Sequence, residues 1–323
     1  MVFKKMLGAF GVGGPSVDTV LDDPAGVPGA PLHGRVELVG GSHDAAIEHI
    51  TLSLITRMEI ESGHGDGHAT GEFHRITVSG PMRLGEGERR SIPFQLVLSW
   101  ETPITTVHGQ PLHGMVMGVR TEVAIAKAVD KGDLDAVYVR PLPVQQRILD
   151  AFAQLGFVFK GADLEYGRIH GVRQTLPFYQ EIEYFPAPRY AHGVNEVELT
   201  FVTGPHAVEV VLEFDKRGGM FGGGHDSYGR YTVAHADADT VDWAQQVDGW
   251  VRQALEHRQA VPGYGHGQPA YGGRPGHSSH GGHGGHGPGM GGMAAGVVGG
   301  VAAGYLAGEV MDEVFDDDGG EDE

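Results

Sequence analysis

Ile50, Leu52, Leu54, Thr56, Met58 and Ile60 recur at every second position, and Thr51, Ser53, Arg57, Glu59 and Glu61 fill the gaps. Side chains alternate across a strand with a period of two, whereas one face of a helix repeats every 3.6 residues. The segment is therefore predicted to be a long half-buried antiparallel strand. Similar patterns surround it. Val17 to Asp22 is a candidate first strand. Leu32, Gly34, Val36 and Leu38 oppose Arg35 and Glu37, and Gly40-Gly41 closes that strand. The loop SGHGDGH leads into a strand from Gly71 to Ser79. Ile92, Phe94, Leu96, Leu98 and Trp100 mark the next, with Pro93 directing it to an edge or a bulge. Met115, Met117, Val119, Thr121, Val123 and Ile125 alternate with Arg120 and Glu122. Short strands separated by turns, with no helix among them, predict a sandwich or barrel.

Asp130 to Pro143, DKGDLDAVYVRPLP, interrupts this pattern. Asp130, Asp133 and Asp135 crowd a predicted turn around Gly132, a strand from Ala136 to Arg140 follows, and Pro141 and Pro143 keep the chain extended. Val144, Ile148, Phe152 and Leu155 then have helical spacing, ended by Gly156. Strands resume at Phe157 to Gly167 and around Leu176 to Pro186. Val197, Leu199 and Phe201 are placed to pair with Val208, Val210, Leu212 and Phe214 across Gly204-Pro205. Tyr228 to His235 reads as a last strand. A helix is predicted from Asp239, as N-cap, to about His257. The chain of 323 residues has room for about two domains of ~100–150 residues. Asp130 to Pro143 falls between them.

Beyond Gln259 little remains to bury. Tyr264 to Pro288 is glycine, histidine and proline, a composition of disordered chain. Gly292, Gly296, Gly300, Gly304 and Gly308 then recur every four residues, a small-residue stripe suited to close self-association of helices. Its alanine and glycine side chains give a poor drive for bilayer insertion. The last 65 residues hold nine acidic residues and one basic one, Arg274. The net charge of −19 argues against nucleic acid as a partner, because phosphates need a basic face. The absence of cysteine excludes a disulfide framework and fits a reducing cytosol. At the N-terminus, Phe3, Met6, Leu7 and Phe10 form one side of a short amphipathic segment too glycine-broken for a signal peptide. It suits packing on the body or weak peripheral membrane contact.

Chemical motifs are few. Asp130, Asp133 and Asp135 lack the regular ligand spacing, mid-loop glycine and distal glutamate of a calcium loop. His64 and His68 flank Asp66 in a glycine-rich loop, where the spacing loses its helical meaning. His277, His280, His283 and His286 have no carboxylate or thiol framework around them. GVGGP near residue 11 and GGMFGGGHD near residue 220 do not open a helix after a strand, and turn chemistry accounts for both. No nucleophile elbow and no cysteine nucleophile occurs. No catalytic, cofactor-binding or metal-ligating residue is assigned.

The stretches FKKMLGAFGVGG, HGRVELVGG, IPFQLVL followed by ETPIT, TEVAIAKAVDKGDLDAVYVRPLP, LDAFAQLGF, ADLEYG, LPFYQEIEYFP and VEVVLEFDKR cover most of residues 3 to 217. Together they resemble the stage-zero sporulation control protein M family, Spo-zero-M, which is arrestin-like. The resemblance implies an all-β, arrestin-like pair of β-sandwiches, cytoplasmic location, no enzymatic activity and no cofactor. It also implies control of sporulation or development through protein partners. By the same analogy, Asp130, Asp133, Asp135 and Arg140 are candidates for a charged turn at the interface of the two domains. The expected division is 1–135, with the amphipathic segment and the first sandwich; 136–258, with the second sandwich and the helices; and 259–323, the glycine-, histidine- and acid-rich tail. Homo-oligomerisation would run through the tail stripe. Two alternatives stand beside the adaptor reading. One is a membrane-peripheral scaffold using the N-terminal segment and the glycine stripe. The other is a metal-responsive binding protein using the histidine tract.

Overall fold

The computed structural model describes residues 13–62, 65–192, 194–216 and 229–260. The elements run β1 (Ser16–Leu21), β2 (Ala25–Gly26), β3 (Pro31–Val39), β4 (Ala45–Ser62), β5 (Gly65–Ser79), β6 (Met82–Leu84), β7 (Arg89–Val97), β8 (Thr106–Val107), β9 (Gln110–Pro111), β10 (Met117–Ile125), β11 (Lys131–Ala136) and β12 (Tyr138–Val139). Then follow α1 (Pro143–Leu155), β13 (Val158–Tyr166), β14 (Phe178–Phe185), β15 (Val194–Thr203), β16 (Ala207–Lys216), β17 (Gly229–Ala234), a 3-10 turn over His235–Asp239 and α2 (Trp243–Ala260).

The N-terminal half is a sandwich. One sheet has the order β1-β3-β7; the other is built from β11, β10, β4, β5 and β6. Val17, Leu32, Val36, Leu38 and Leu96 from the first sheet meet Ile50, Leu52, Leu54, Val119 and Val123 from the second, all buried. Pro93, which cannot donate to a ladder, lies on β7 at the edge of the smaller sheet.

In the C-terminal half, β13 to β17 form an antiparallel run. The predicted β15–β16 pairing forms, with Val197 opposite Phe214 and Leu199 opposite Leu212. Among the described residues, α1 and α2 lie against the apolar face of this run: Phe152 stacks on Tyr184 at 4.9 Å, and Trp250 on Tyr231 at 4.6 Å. Gly156, at φ 88°, ends α1 as predicted, and its N–H donates to the Ala153 carbonyl.

β4 joins the halves. It pairs with β10 from Ile47 to Thr56, and farther along Glu59 pairs with Glu165 of β13 in one parallel bridge. Ten strands thereby form one continuous sheet. Two expectations for this region change. The strand is not half-buried, since Thr51, Ser53 and Ile55 are as inaccessible as Ile50, Leu52 and Leu54. Arg75 of β5 lies over its polar side, donating to Ser53 Oγ at 3.2 Å and pairing with Glu72 and Glu122, while Arg120 of β10 pairs with Glu72. The long arginine side chains cover what the alternation leaves polar. In addition, the backbone from Gly65 to His68 continues the β4–β5 ladder, up to Ser62 opposite Gly65, where a loop is expected.

Candidate functional site

Asp130 ends the β10–β11 connection, its Oδ1 accepting the Ile125 N–H at 3.0 Å. Asp133 and Asp135 do not sit in a turn. They belong to β11, which pairs with β10 and sets Asp133 opposite Thr121 and Asp135 opposite Val119. Directly opposed residues share a face, and Thr121 and Val119 are fully buried. Both carboxyls therefore point between the two sheets of the N-terminal sandwich. Asp133 Oδ2 accepts the Thr19 N–H of β1 at 2.5 Å. Burial raises both carboxyls above the usual range; the neighbouring charges of Asp133 and Asp18 add to it and carry Asp135 to about 8. Arg140 follows β12 with an exposed side chain, and its N–H donates to the Gly26 carbonyl at 2.9 Å. The bonds of Asp130 and Asp133 thus stay within the N-terminal half, because β11 keeps the period of a strand.

Contacts between the halves run instead through the β4–β13 bridge, through Phe73 of β5 against Phe178 of β14, and through residues 99–113, which carry no periodic signal. Trp100 stacks on His235 with centroids 5.6 Å apart. The Glu101 carboxylate accepts the Thr175 N–H and hydroxyl and the Leu176 N–H, at 2.8 to 2.9 Å. Ile104 exchanges two buried hydrogen bonds with Gln180. His108 Nε2 lies 2.9 Å from Asp150 Oδ1 on α1, and the His113 carbonyl accepts the Ala162 N–H. Buried Thr102, Thr105 and Thr106 in this non-alternating stretch are the sequence signal that could have exposed it.

The face of the β13–β16 sheet turned away from the helices is acidic. Register sets Asp163 opposite Glu181, and Glu198 opposite Glu213. Carboxylate oxygens of Asp163, Glu165 and Glu181 lie within 4.8 Å of one another, as do those of Glu181, Glu198 and Glu213. Burial and the surrounding negative charges push Glu181 up to about 9, so it holds a proton at neutral pH. Lys160 donates to Glu196 at 2.5 Å and to Glu183 at 3.4 Å.

Next to this face, β13 opens to solvent. Among the described residues, Val158 and Phe159 pair with β14 on one side, Lys160 forms a bulge before Gly161 resumes the pairing, and Val158 to Lys160 have no strand on the other side, since the bridge to β4 is at Glu165. Val158 is 60% exposed and Phe159 37%, and Phe185, opposite Val158, is 51% exposed. A sheet edge flanked by exposed apolar side chains is a template for another extended chain.

The N-terminal amphipathic segment, His64, the glycine loop near residue 220, the histidine tract and the stripe Gly292, Gly296, Gly300, Gly304 and Gly308 lie outside the described residues. No helix among the described residues is long and apolar enough to cross a membrane.

A family model described as SpoOM protein matches residues 3–218. The chain belongs to this family. The sporulation-control protein Spo0M of Bacillus subtilis is 32% identical over 217 residues, spanning 67% of this chain and 81% of that protein. The crystal structure of Spo0M, sporulation control protein, from Bacillus subtilis superposes with a TM-score of 0.66 at 28% identity, covering 75% of this chain and all of the other. Membership in the SpoOM family agrees with the mostly β architecture expected from the alternating strands. The Bacillus subtilis protein bears the name of a control protein in both comparisons, and that name does not denote an enzyme.

Proposed function

We propose that this chain is a non-catalytic adaptor in sporulation control that binds extended segments of partner proteins in the cytoplasm. The family supports the sporulation context. The observation that carries the adaptor reading is the open edge of β13, with Val158, Phe159 and Phe185 exposed around it. Strand addition supplies affinity through main-chain hydrogen bonds and selectivity through alternate side chains, with no chemistry at the site. A partner strand beside Val158 would cover Val158 and Phe185 on one face and Phe159 on the other.

The test compares full-length wild type with the double variant Val158→Asp, Phe185→Asp, each carrying a photo-crosslinking residue at position 160, in sporulating cells. The adaptor reading expects wild-type crosslinks to defined proteins, loss of those crosslinks in the double variant, and an unchanged melting temperature. Retention of every crosslinked partner by the double variant overturns it.

A further inference from the structure

β1 and β11 are the outer strands at one open corner of the N-terminal sandwich: β1 ends the order β1-β3-β7, and β11 ends the larger sheet. No ladder joins them. One side-chain hydrogen bond does, and a second beside it ties β1 to β10. Thr19 donates its N–H to Asp133 Oδ2, and the hydroxyls of Thr19 and Thr121 lie 2.6 Å apart and buried. The Asp133 carboxylate thus takes the place of a missing strand, accepting an edge N–H that would otherwise be buried unpaired.

Asp135 completes the corner. Its Oδ2 is shut off from solvent and no donor group reaches it. Two residues before it on the same face of β11, the Asp133 carboxyl shares its space. Two adjacent carboxylates resist both being charged in such a space, and one proton between them makes Asp135 a donor to Asp133, beside the Thr19 N–H that Asp133 already accepts. The other charged groups do not provide a substitute. Asp18 on β1 adds a third negative charge. Glu37, opposite Asp18 on β3, is paired with Arg35. On β10, Arg120 and Glu122 alternate with Val119, Thr121 and Val123, so they lie on the other face of the sheet, where both join the network around Glu72 and Arg75. Lys131, opposite buried Val123, shares the face of Asp133, but Asp135 lies four residues farther along β11 and the charges acting on it are those of Asp133 and Asp18.

We propose that Asp133 and Asp135 form a proton-sharing latch that holds β1 against β11 and releases it when the shared proton is lost. Loss of the proton leaves two adjacent carboxylates and Asp18 repelling one another across the corner, and the Thr19 amide opens to solvent. The direction follows from the raised carboxyls. A group protonated in the folded chain above its unfolded value stabilises fully below about pH 4, and that stabilisation is lost as pH rises to about 8. The latch therefore weakens progressively from about pH 4 to about pH 8 and frees one edge of β1 for pairing.

Hydrogen exchange of the full-length protein, followed by mass spectrometry, reads the latch directly. In wild type, protection of the peptide over residues 16–21, corrected for intrinsic exchange, should fall about tenfold from about pH 6 to about pH 9, while the β15–β16 hairpin keeps its protection. Asp135→Asn places a permanent amide donor beside Asp133, and its protection should stay flat. If that variant does not fold, Asp133→Asn serves, because one carboxylate beside an amide has no proton to share. Flat protection in wild type overturns the latch. So does a wild-type-like fall in whichever variant folds, or a fall in which the β15–β16 hairpin loses protection in step.

Discussion

Gln180 clamps Ile104 from both sides: the Ile104 N–H donates to Gln180 Oε1 at 3.0 Å, and Gln180 Nε2 donates to the Ile104 carbonyl at 2.7 Å. Both residues are buried, at 9% and 1% exposure. One amide side chain therefore satisfies both backbone groups of a residue 76 positions away, where a non-periodic segment of the N-terminal half crosses onto β14. Gln180→Leu keeps the volume and leaves both groups of Ile104 without a partner. The expected loss is about 2–4 kcal/mol. Urea denaturation should show a lower midpoint with an unchanged slope. A loss below about 0.5 kcal/mol would mean that the clamp adds nothing to the junction.

Trp100 occupies the other side of that crossing, between His235 and Gly29. Gly29 has φ +80°, and a Cβ built on it would lie 2.7 Å from the Trp100 ring. Gly29→Ala therefore meets two penalties, an unfavourable backbone conformation and a clash, together about 1–3 kcal/mol. Trp100→Ala removes the stack on His235 and should cost about 2 kcal/mol. In the double variant the clash is gone while the backbone penalty remains. Thermal unfolding of the four proteins should give a coupling of about 1 kcal/mol in the sense of less than additive loss; strict additivity would contradict the contact.

Glu181 sets a pH dependence of its own. Its carboxyl is held at about 9 in the fold by burial and by Glu198, Asp163, Glu213 and Glu165, against the ordinary 4.5. The unfolded chain gives up this proton first, so the stabilisation present below about pH 4.5 is lost as pH rises towards about 9 and then levels off. Glu181→Gln carries no proton to lose. Melting temperatures of the two proteins should coincide near pH 4 and separate with rising pH. Allowing for solvent at a partly exposed face, the variant should be more stable by on the order of 1–2 kcal/mol at about pH 8. Parallel curves would remove the charge cluster as the cause.

What the sequence makes legible and what it hides divide along one physical line. Alternation within a strand is local, and it locates β3, β10 and the β15–β16 pair, as Gly156 and helical spacing locate α1. Everything that depends on a distant strand is hidden. Ser53 looks solvent-facing until Arg75, from β5, lies over it. Asp133 and Asp135 look like a charged turn because the group that receives Asp133, the Thr19 N–H, is 114 residues away. Residues 99–113 show no period because their partners are scattered backbone and side-chain groups on several elements. The carboxylates around Glu181 come from β13, β14, β15 and β16, and only cross-strand register brings them together.

The start of α2 offers a sharp version of the same lesson. Asp239 is the predicted N-cap, but the helix begins three residues later. Gln245 N–H donates to Asp242 Oδ1 at 3.1 Å and Gln246 N–H to the Asp242 carbonyl at 2.9 Å, so Asp242 is the cap. Asp239 instead ends the 3-10 turn and pairs with Arg147 of α1 at 2.7 Å, with both side chains more than half exposed. Part of what moves the start is Trp243, whose indole N–H donates to the Ala238 carbonyl and fixes the chain before the helix. The two aspartates should then differ on substitution. Asp242→Ala removes a cap from the helix that buries Val247, Trp250 and Val251, and should cost about 1 kcal/mol. Asp239→Ala removes an exposed ion pair and should stay within about 0.5 kcal/mol of the parent. Thermal unfolding of both variants checks the order; a larger loss for Asp239→Ala would restore it as the residue that starts the helix.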